Sequence, residues 1–238
     1  MQVIPIKTRI FRENEDLFLF VSKNIKKFPE KSILVVTSKI VALSEGRTVK
    51  YKNEKQRIKL IKKESDFSLK LKHTWLTLKD NMVMANSGID QSNADGKMIF
   101  LPKNSFKSAE LLRKKLIHKF RLKNLGVLIT DSEFMPLRVG ALGVALGYAG
   151  FAGVRNYIGK KDIFGRKFVY SKTDVADGLA TSAVLCMGEG KERQPMAVIT
   201  NAPVVFTNKI KKKEMMIDSE KDMYAPLFKN LINDKKKK

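Results

Sequence analysis

Three carboxylates and one hydroxyl carry the clearest potential for chemistry. Asp90, Asp131 and Glu189 each stand near a small or glycine residue at the end of an expected element, and Ser132 follows Asp131 directly. Hard oxygen donors of this kind suit Mg2+ or Mn2+, which keep water or phosphate in their remaining positions. The plainer reading makes Asp90 an Asx-turn residue, Asp131 a cap and Glu189 a loop acid. Spacing alone favours that plainer reading. The segment Met187-Gly-Glu-Gly-Lys-Glu-Arg-Gln194 is glycine-rich and mixed in charge. Its backbone N–H groups suit phosphates, although an ordinary loop after a helix end has the same composition. Arg138 follows Pro136-Leu137 and has the fork to clamp a phosphate or carboxylate; a surface arginine is the equal alternative. No Walker A motif, no Rossmann G-x-G-x-x-G and no G-x-S-x-G elbow occurs.

The elements that must position these residues are readable in part. Short apolar runs predict strands at 32–37, 81–85, 98–101, 125–130 and 196–200. The strand at 125–130 is expected to stop at Asp131-Ser132. Helical spacing predicts a helix over 105–120 capped by Ser105, and another over 173–187 capped by Thr173 and stopped by Gly188. Residues 50–72 alternate Lys with Ile and Leu without a period, as a solvated helix or variable connection would. Gly140, Gly143, Gly147, Gly150 and Gly153 sit among apolar residues, which suggests strands packed closely on another backbone or a ligand. Tyr224, Leu227, Phe228, Leu231 and Ile232 fit a short closing helix. Three strands end in a polar step, at Thr37-Ser38-Lys39, Thr130-Asp131-Ser132 and Thr200-Asn201, and strand ends in such proteins converge on ligands. One shared site is therefore expected.

The chain has 238 residues, enough for one large domain with a real core; we expect the body at 1–208, with a C-terminal helix and basic tail over 209–238. One cysteine and two histidines exclude an internal disulfide and a zinc site built from this chain's own Cys and His. The start lacks the pattern of a signal peptide and no apolar run spans a membrane, so a soluble cytoplasmic protein without a membrane partner is expected. Lys plus Arg is 47 against 24 for Asp plus Glu, a net charge of +23. That excess admits a nucleic-acid partner. Lysine dominates, the charge is spread along the chain, and aromatics are 8%, so nucleic acid is not favoured.

Six blocks in order resemble the coenzyme F-420 glutamate ligases. They are Val35–Val41 with Ser44–Arg47, Asn86–Asn93 with Leu101-Pro102, Gly126–Ser132, Tyr157–Arg166, Val175–Asp177 and Met187–Gly190. The resemblance implies a mixed α+β ligase fold, distinct from P-loop, Rossmann and ATP-grasp folds, in a homodimer. It implies that L-glutamate is added, γ-linked, to a small-molecule carboxylate acceptor such as coenzyme F-420-0. The implied route consumes GTP through an acyl phosphate, with two Mg2+ or Mn2+ ions and K+ as activator. By position, Asp90 and Asp131 would hold one ion, and Ser132 and Glu189 the second. Thr8, Arg9, Ile10, Phe11, Ser38, Lys39, Asn93 and Met187, Gly188, Glu189, Gly190, Lys191, Glu192, Arg193 and Gln194 would contact the nucleotide. Lys39 and Arg138 would serve the phosphoryl transfer. The chain departs from the family pattern at Ser132 (usually Thr), at Phe134-Met135 (usually Gly-Arg), at Leu43 (usually Lys) and at Ala141–Val144. A catalytically silent dimer and a polyanion- or RNA-binding relative are the other readings.

Overall fold

The computed structural model describes residues 1–209, 212–218 and 220–227. In chain order the elements are β1 (Gln2–Ile6), α1 (Leu17–Asn24), β2 (Ser32–Thr37), α2 (Ser38–Ser44), β3 (Thr48–Val49), α3 (Glu54–Glu64), β4 (Phe67–Lys70), β5 (Trp75–Lys79) and β6 (Met82–Ala85). They continue with β7 (Met98–Ile99), α4 (Ser105–Phe120), β8 (Leu125–Phe134), β9 (Ala141–Ala149), β10 (Val154–Asn156), β11 (Lys172–Asp174), α5 (Val175–Met187) and β12 (Met196–Thr200). The architecture is α+β.

The core is a five-stranded sheet in the order β1-β12-β2-β8-β9. β2 and β8 run parallel, and every other neighbouring pair is antiparallel. Alternation along β2 and β8 sends Leu34, Val36, Val127 and Ile129 to the face covered by α1, α2 and α4. Ile33, Val35 and Leu128 go to the face covered by α5. Both faces of the central strands are dry, which is why these runs are continuously apolar. Pro5 is tolerated in β1 because β1 is an edge strand.

A second layer hangs on α2. α3 packs on the three-stranded β4-β5-β6 sheet around Ile61, Trp75, Ile89, Met98 and Phe100. Glu64 joins it to the main body, with Oε2 2.9 Å from Arg47 and 2.6 Å from Lys79. The aperiodic stretch at 50–72 thus resolves into α3, capped by Asn53, and β4.

Two expected caps move by one residue. Asn104, not Ser105, caps α4 by accepting from Lys107 N, and Asp174, not Thr173, caps α5 by accepting from Asp177 N. In both places a carboxamide or carboxylate next to the hydroxyl candidate, Asn104 before Ser105 and Asp174 after Thr173, reaches the third helical N–H. β8 does not stop at Asp131; pairing with β9 carries it to Phe134. Thr200-Asn201 is not at the shared site. β12 is antiparallel to β2, so Thr200 lies beside Gln2 at the opposite end of the sheet.

Tyr224 and Leu227 lie in turns. Phe228, Leu231 and Ile232 of the expected closing helix, and the tail Lys235–Lys238, fall outside the described residues. Among the described residues no helix is long and apolar enough to cross a membrane.

Candidate functional site

Topology brings the singled-out loops to one end of the sheet. β2 and β8 are parallel with Thr37 opposite Thr130, so Ser38-Lys39 and Asp131-Ser132 emerge side by side. β12 is antiparallel to β2, with Met196 opposite Val36, so the loop before β12 arrives at the same end. β1 pairs Ile6 with Met196 and delivers residues 8–11 there too. Two backbone bonds fasten the junction: Thr8 N donates to Arg193 O, and Thr37 N to Pro195 O.

Asp90 reaches this end from the second layer. It is held by a two-way backbone bridge with Ile99. Its Oδ1 accepts from Ser92 N at 2.7 Å, and its Oδ2 accepts from Ser92 Oγ at 2.8 Å. Lys39 Nζ lies 2.6 Å from Asp90 Oδ2 and donates to Ser92 Oγ at 2.9 Å. Burial works against the Asp90 carboxylate, but Lys39 and Ser92 outweigh it and hold its pKa below the ordinary value.

Asp131 behaves in the opposite way. Burial pushes its pKa up to about 6, the nearby Asp90 charge adds to the rise, and bonds from the Ser132 N–H and the Ser38 hydroxyl with the Lys39 charge oppose it. The register of β8 against β9 slips immediately before this residue, between Ile129 and Thr130. The extra residue there is Leu146, so the bulge lies in β9. Ser132 points the other way and donates to Glu189 Oε1 at 2.6 Å.

The four expected metal donors therefore come as two pairs, Asp90 with Asp131 and Ser132 with Glu189. Among the described residues no group of three or more His, Cys, Asp or Glu side chains converges as a complete metal cage. Mg2+ and Mn2+ take one or two carboxylates and complete their shell with phosphate oxygens and water. The donors are all hard oxygens, and the mutual repulsion of Asp90 and Asp131 is what a cation would relieve.

Of the expected nucleotide contacts, Ser38 is buried at the head of α2 and Asn93 is exposed with φ 54°. Arg9 is gripped by Glu15 through two bonds of 2.8 and 2.7 Å and covers the Phe20 ring. The side chains of Phe11, against Phe20, and of Met187, the last residue of α5, are in the core. Thr8 is buried and Ile10 exposed. Gly188 ends α5 with φ 80°, and Glu192 folds back to accept from Gly190 N at 2.8 Å. Lys191, Glu192 and Arg193 are exposed and Gln194 is half-buried. Arg138 is not brought to this cluster. It stands exposed in the β8–β9 turn, beyond the Phe134–Ala141 pair.

Two residues were missed by the sequence reading. Glu13 binds Lys97 and accepts from the Thr48 hydroxyl, tying the 8–15 loop to the segment after Asp90. Alternation i, i+2 from Asp131 would have found Glu133, had the strand been extended. Glu133 is buried, and burial with the Asp131 charge lifts its pKa to about 8. A carboxyl with a raised folded pKa is favoured neutral. Its contribution is complete below the ordinary value and is lost as pH rises through 8. Glu133→Gln should therefore stabilise the protein at pH 8, by on the order of 3 kcal/mol, with the gain fading toward pH 5. Paired thermal melts across pH check this; an equal gain at both pH values would rule out the buried-carboxyl origin.

The chain as a whole matches known proteins over most of its length. The family model described as F420-0:gamma-glutamyl ligase matches residues 5–201. The chain is 35% identical to a coenzyme F420:L-glutamate ligase of Methanococcus maripaludis, over 94% of this chain and 97% of that protein. It is 32% identical to the protein of that name from Methanocaldococcus jannaschii, over 94% and 96%. It is 27% identical to the one from Archaeoglobus fulgidus, over 98% and 99%.

Proposed function

The chain belongs to the F420-0:gamma-glutamyl ligase family, and from that we propose that it adds L-glutamate, γ-linked, to a carboxylate acceptor such as coenzyme F-420-0 at the expense of GTP. The observation that supports this most is the convergence of Lys39, Asp90, Asp131, Ser132 and Glu189 at one end of the sheet. Amide formation from a carboxylate needs an activated acyl group. An acceptor carboxylate oxygen attacks the γ-phosphorus, the bond to the bridging oxygen breaks, and GDP leaves. The amine of glutamate then attacks the acyl carbon, loses a proton, and phosphate departs. Both steps call for positioning and charge balance more than for a covalent nucleophile.

The chain's own groups divide that work. Lys39 supplies an ammonium to phosphate oxygens. The 188–194 loop offers backbone N–H groups, and Asn93 an amide. Asp90, Asp131, Ser132 and Glu189 would hold Mg2+ or Mn2+, which when bound offsets the charge on the phosphates. Leu43, where the family pattern has lysine, packs with Ala42, Ala94 and Ile99. The cytoplasm, rich in K+ and GTP, is the compartment this reading requires.

The same reading includes a homodimer. The β8–β9 turn presents Phe134, Met135, Leu137 and Val139, the last two fully exposed at 104% and 106%. The 157–171 hairpin presents Ile163, Phe164 and Tyr170. These exposed apolar tips are where this reading puts the contact between two copies.

Thermal unfolding with GTP, ATP or neither, each with and without Mn2+, tests the reading. A ligand at 100 times its Kd adds about 2.7 kcal/mol, a rise of a few degrees. The expected result is a rise with GTP that needs Mn2+, followed by glutamate-dependent phosphate release with coenzyme F-420-0. Light scattering on the same samples should give twice the chain mass. No shift with any nucleotide would remove the proposal.

A further inference from the structure

The Lys39–Asp90 pair carries a consequence for how the proposed metal and nucleotide enter, and the inference rests on that reading of the site. Both oxygens of Asp90 are taken in this state. Oδ1 is used by Ser92 N, and Oδ2 by Ser92 Oγ and Lys39 Nζ. Lys39 is itself fixed, because its ammonium also donates to Ser92 Oγ. Its charge reaches Asp131 as well, which feels Asp90 as a like charge. The ammonium thus sits where a cation is needed to hold two acidic side chains together.

We propose that Lys39 is a built-in stand-in for the divalent cation: it holds Asp90 until metal arrives, and the displaced ammonium then turns to the phosphates that come with the metal. A metal ion without nucleotide must displace an ammonium that has no new partner. A metal ion with nucleotide gives that ammonium a phosphate. The lysine therefore opposes metal alone and favours metal with nucleotide, which couples the two ligands through one side chain. The coupling keeps the acidic pair closed to stray divalent ions and makes the metal–nucleotide complex the species the site accepts.

Mn2+ titration followed by electron paramagnetic resonance, without nucleotide, reads the first half. Lys39→Met should bind Mn2+ roughly three- to tenfold more tightly than the unaltered protein, the range expected for losing one partly exposed ion-pair competitor. Its melt without ligand should be lower, and its affinity for GTP with Mn2+ weaker. Amine-directed acetylation with peptide mass spectrometry reads the second half and needs no variant. Lys39 should be protected without ligand, several times more reactive with Mg2+ alone, and protected again with Mg2+ and GTP.

Equal or weaker Mn2+ binding by Lys39→Met would overturn the stand-in while leaving the ligase reading intact. So would unchanged Lys39 reactivity at Mg2+ concentrations that saturate the site. If neither protein binds Mn2+ with or without GTP, both the stand-in and the metal assignment fall together.

Discussion

Asp131→Asn should melt at a higher temperature than the unaltered protein at pH 8 and yet lose the rise given by GTP with Mn2+. The two effects have one cause. Asp131 has a folded pKa raised to about 6, so its ionised form is costly in the fold. The favourable neutral form prevails below the ordinary value near 4, and its contribution disappears as pH climbs through 6. At pH 8 the ionised group costs about 3 kcal/mol, which the amide removes, for a rise of roughly 5 °C or more. At pH 4 the gain should be nearly gone. The same charge is what a divalent ion would use, so turnover should fall at least about a hundredfold. Melts of the two proteins should therefore differ by about 3 kcal/mol without ligand and nearly coincide with it, because GTP with Mn2+ adds its about 2.7 kcal/mol to the unaltered protein alone. If Asp131→Asn responds to GTP with Mn2+ as the unaltered protein does, Asp131 is not at the site.

Gly143→Val should leave little folded protein at 37 °C. A Cβ on Gly143 would stand 2.4 Å from the backbone oxygen of Ala180 in α5 and 2.6 Å from a Val184 methyl. Gly147 is equally confined, with Phe106 N of α4 at 2.5 Å. The register slip leaves Leu146 without a partner, so these glycines, four apart, meet helices on opposite faces. Neither neighbour can yield, because each is helix backbone. Overpacking of this kind costs about 3 kcal/mol or more. Circular dichroism and melting temperature decide it. The control is Gly140→Ala, at an open position with φ 93°, where only the backbone conformation is penalised and a smaller loss of about 1 kcal/mol is expected. A Gly143→Val protein that melts within 2 °C of the unaltered one, roughly 1 kcal/mol, would contradict this packing.

Much of this site is written locally and some of it is not. β2 and β12 were legible because buried central strands are unbroken apolar runs. The convergence of Ser38, Lys39 and Asp131 followed from polar residues at strand ends, but strand direction, and with it the arrival of the 187–194 loop, did not. Thr200-Asn201 looked equivalent to Thr130-Asp131 and lies at the opposite end, because antiparallel pairing is a tertiary choice. Glu133 was invisible for the same reason: β9, not local propensity, extends β8 past Asp131. The edge strand β1, short and with Pro5 inside it, has little local signal and owes its place to β12. Arg138 was credible as a clamp from its neighbours in sequence, yet the length of the β8–β9 hairpin carries it away. The approach of Asp90 to Lys39 depends on the whole second layer and had no local sign beyond the family resemblance.

The pairing of Gln2 with Thr200 makes this protein slow to become itself. β12 lies between β1 and β2, so the first strand waits for the last before it has a partner. At ribosomal speeds that wait is on the order of 10–40 s. Throughout it, β2 shows an unpaired edge, the hazard that edge strands pose for aggregation. The 8–11 and 187–194 loops meet only when that gap is filled. A nascent chain thus has its acidic strand end early and its phosphate-facing rim last, and it gains a complete pocket only when its folding is nearly done.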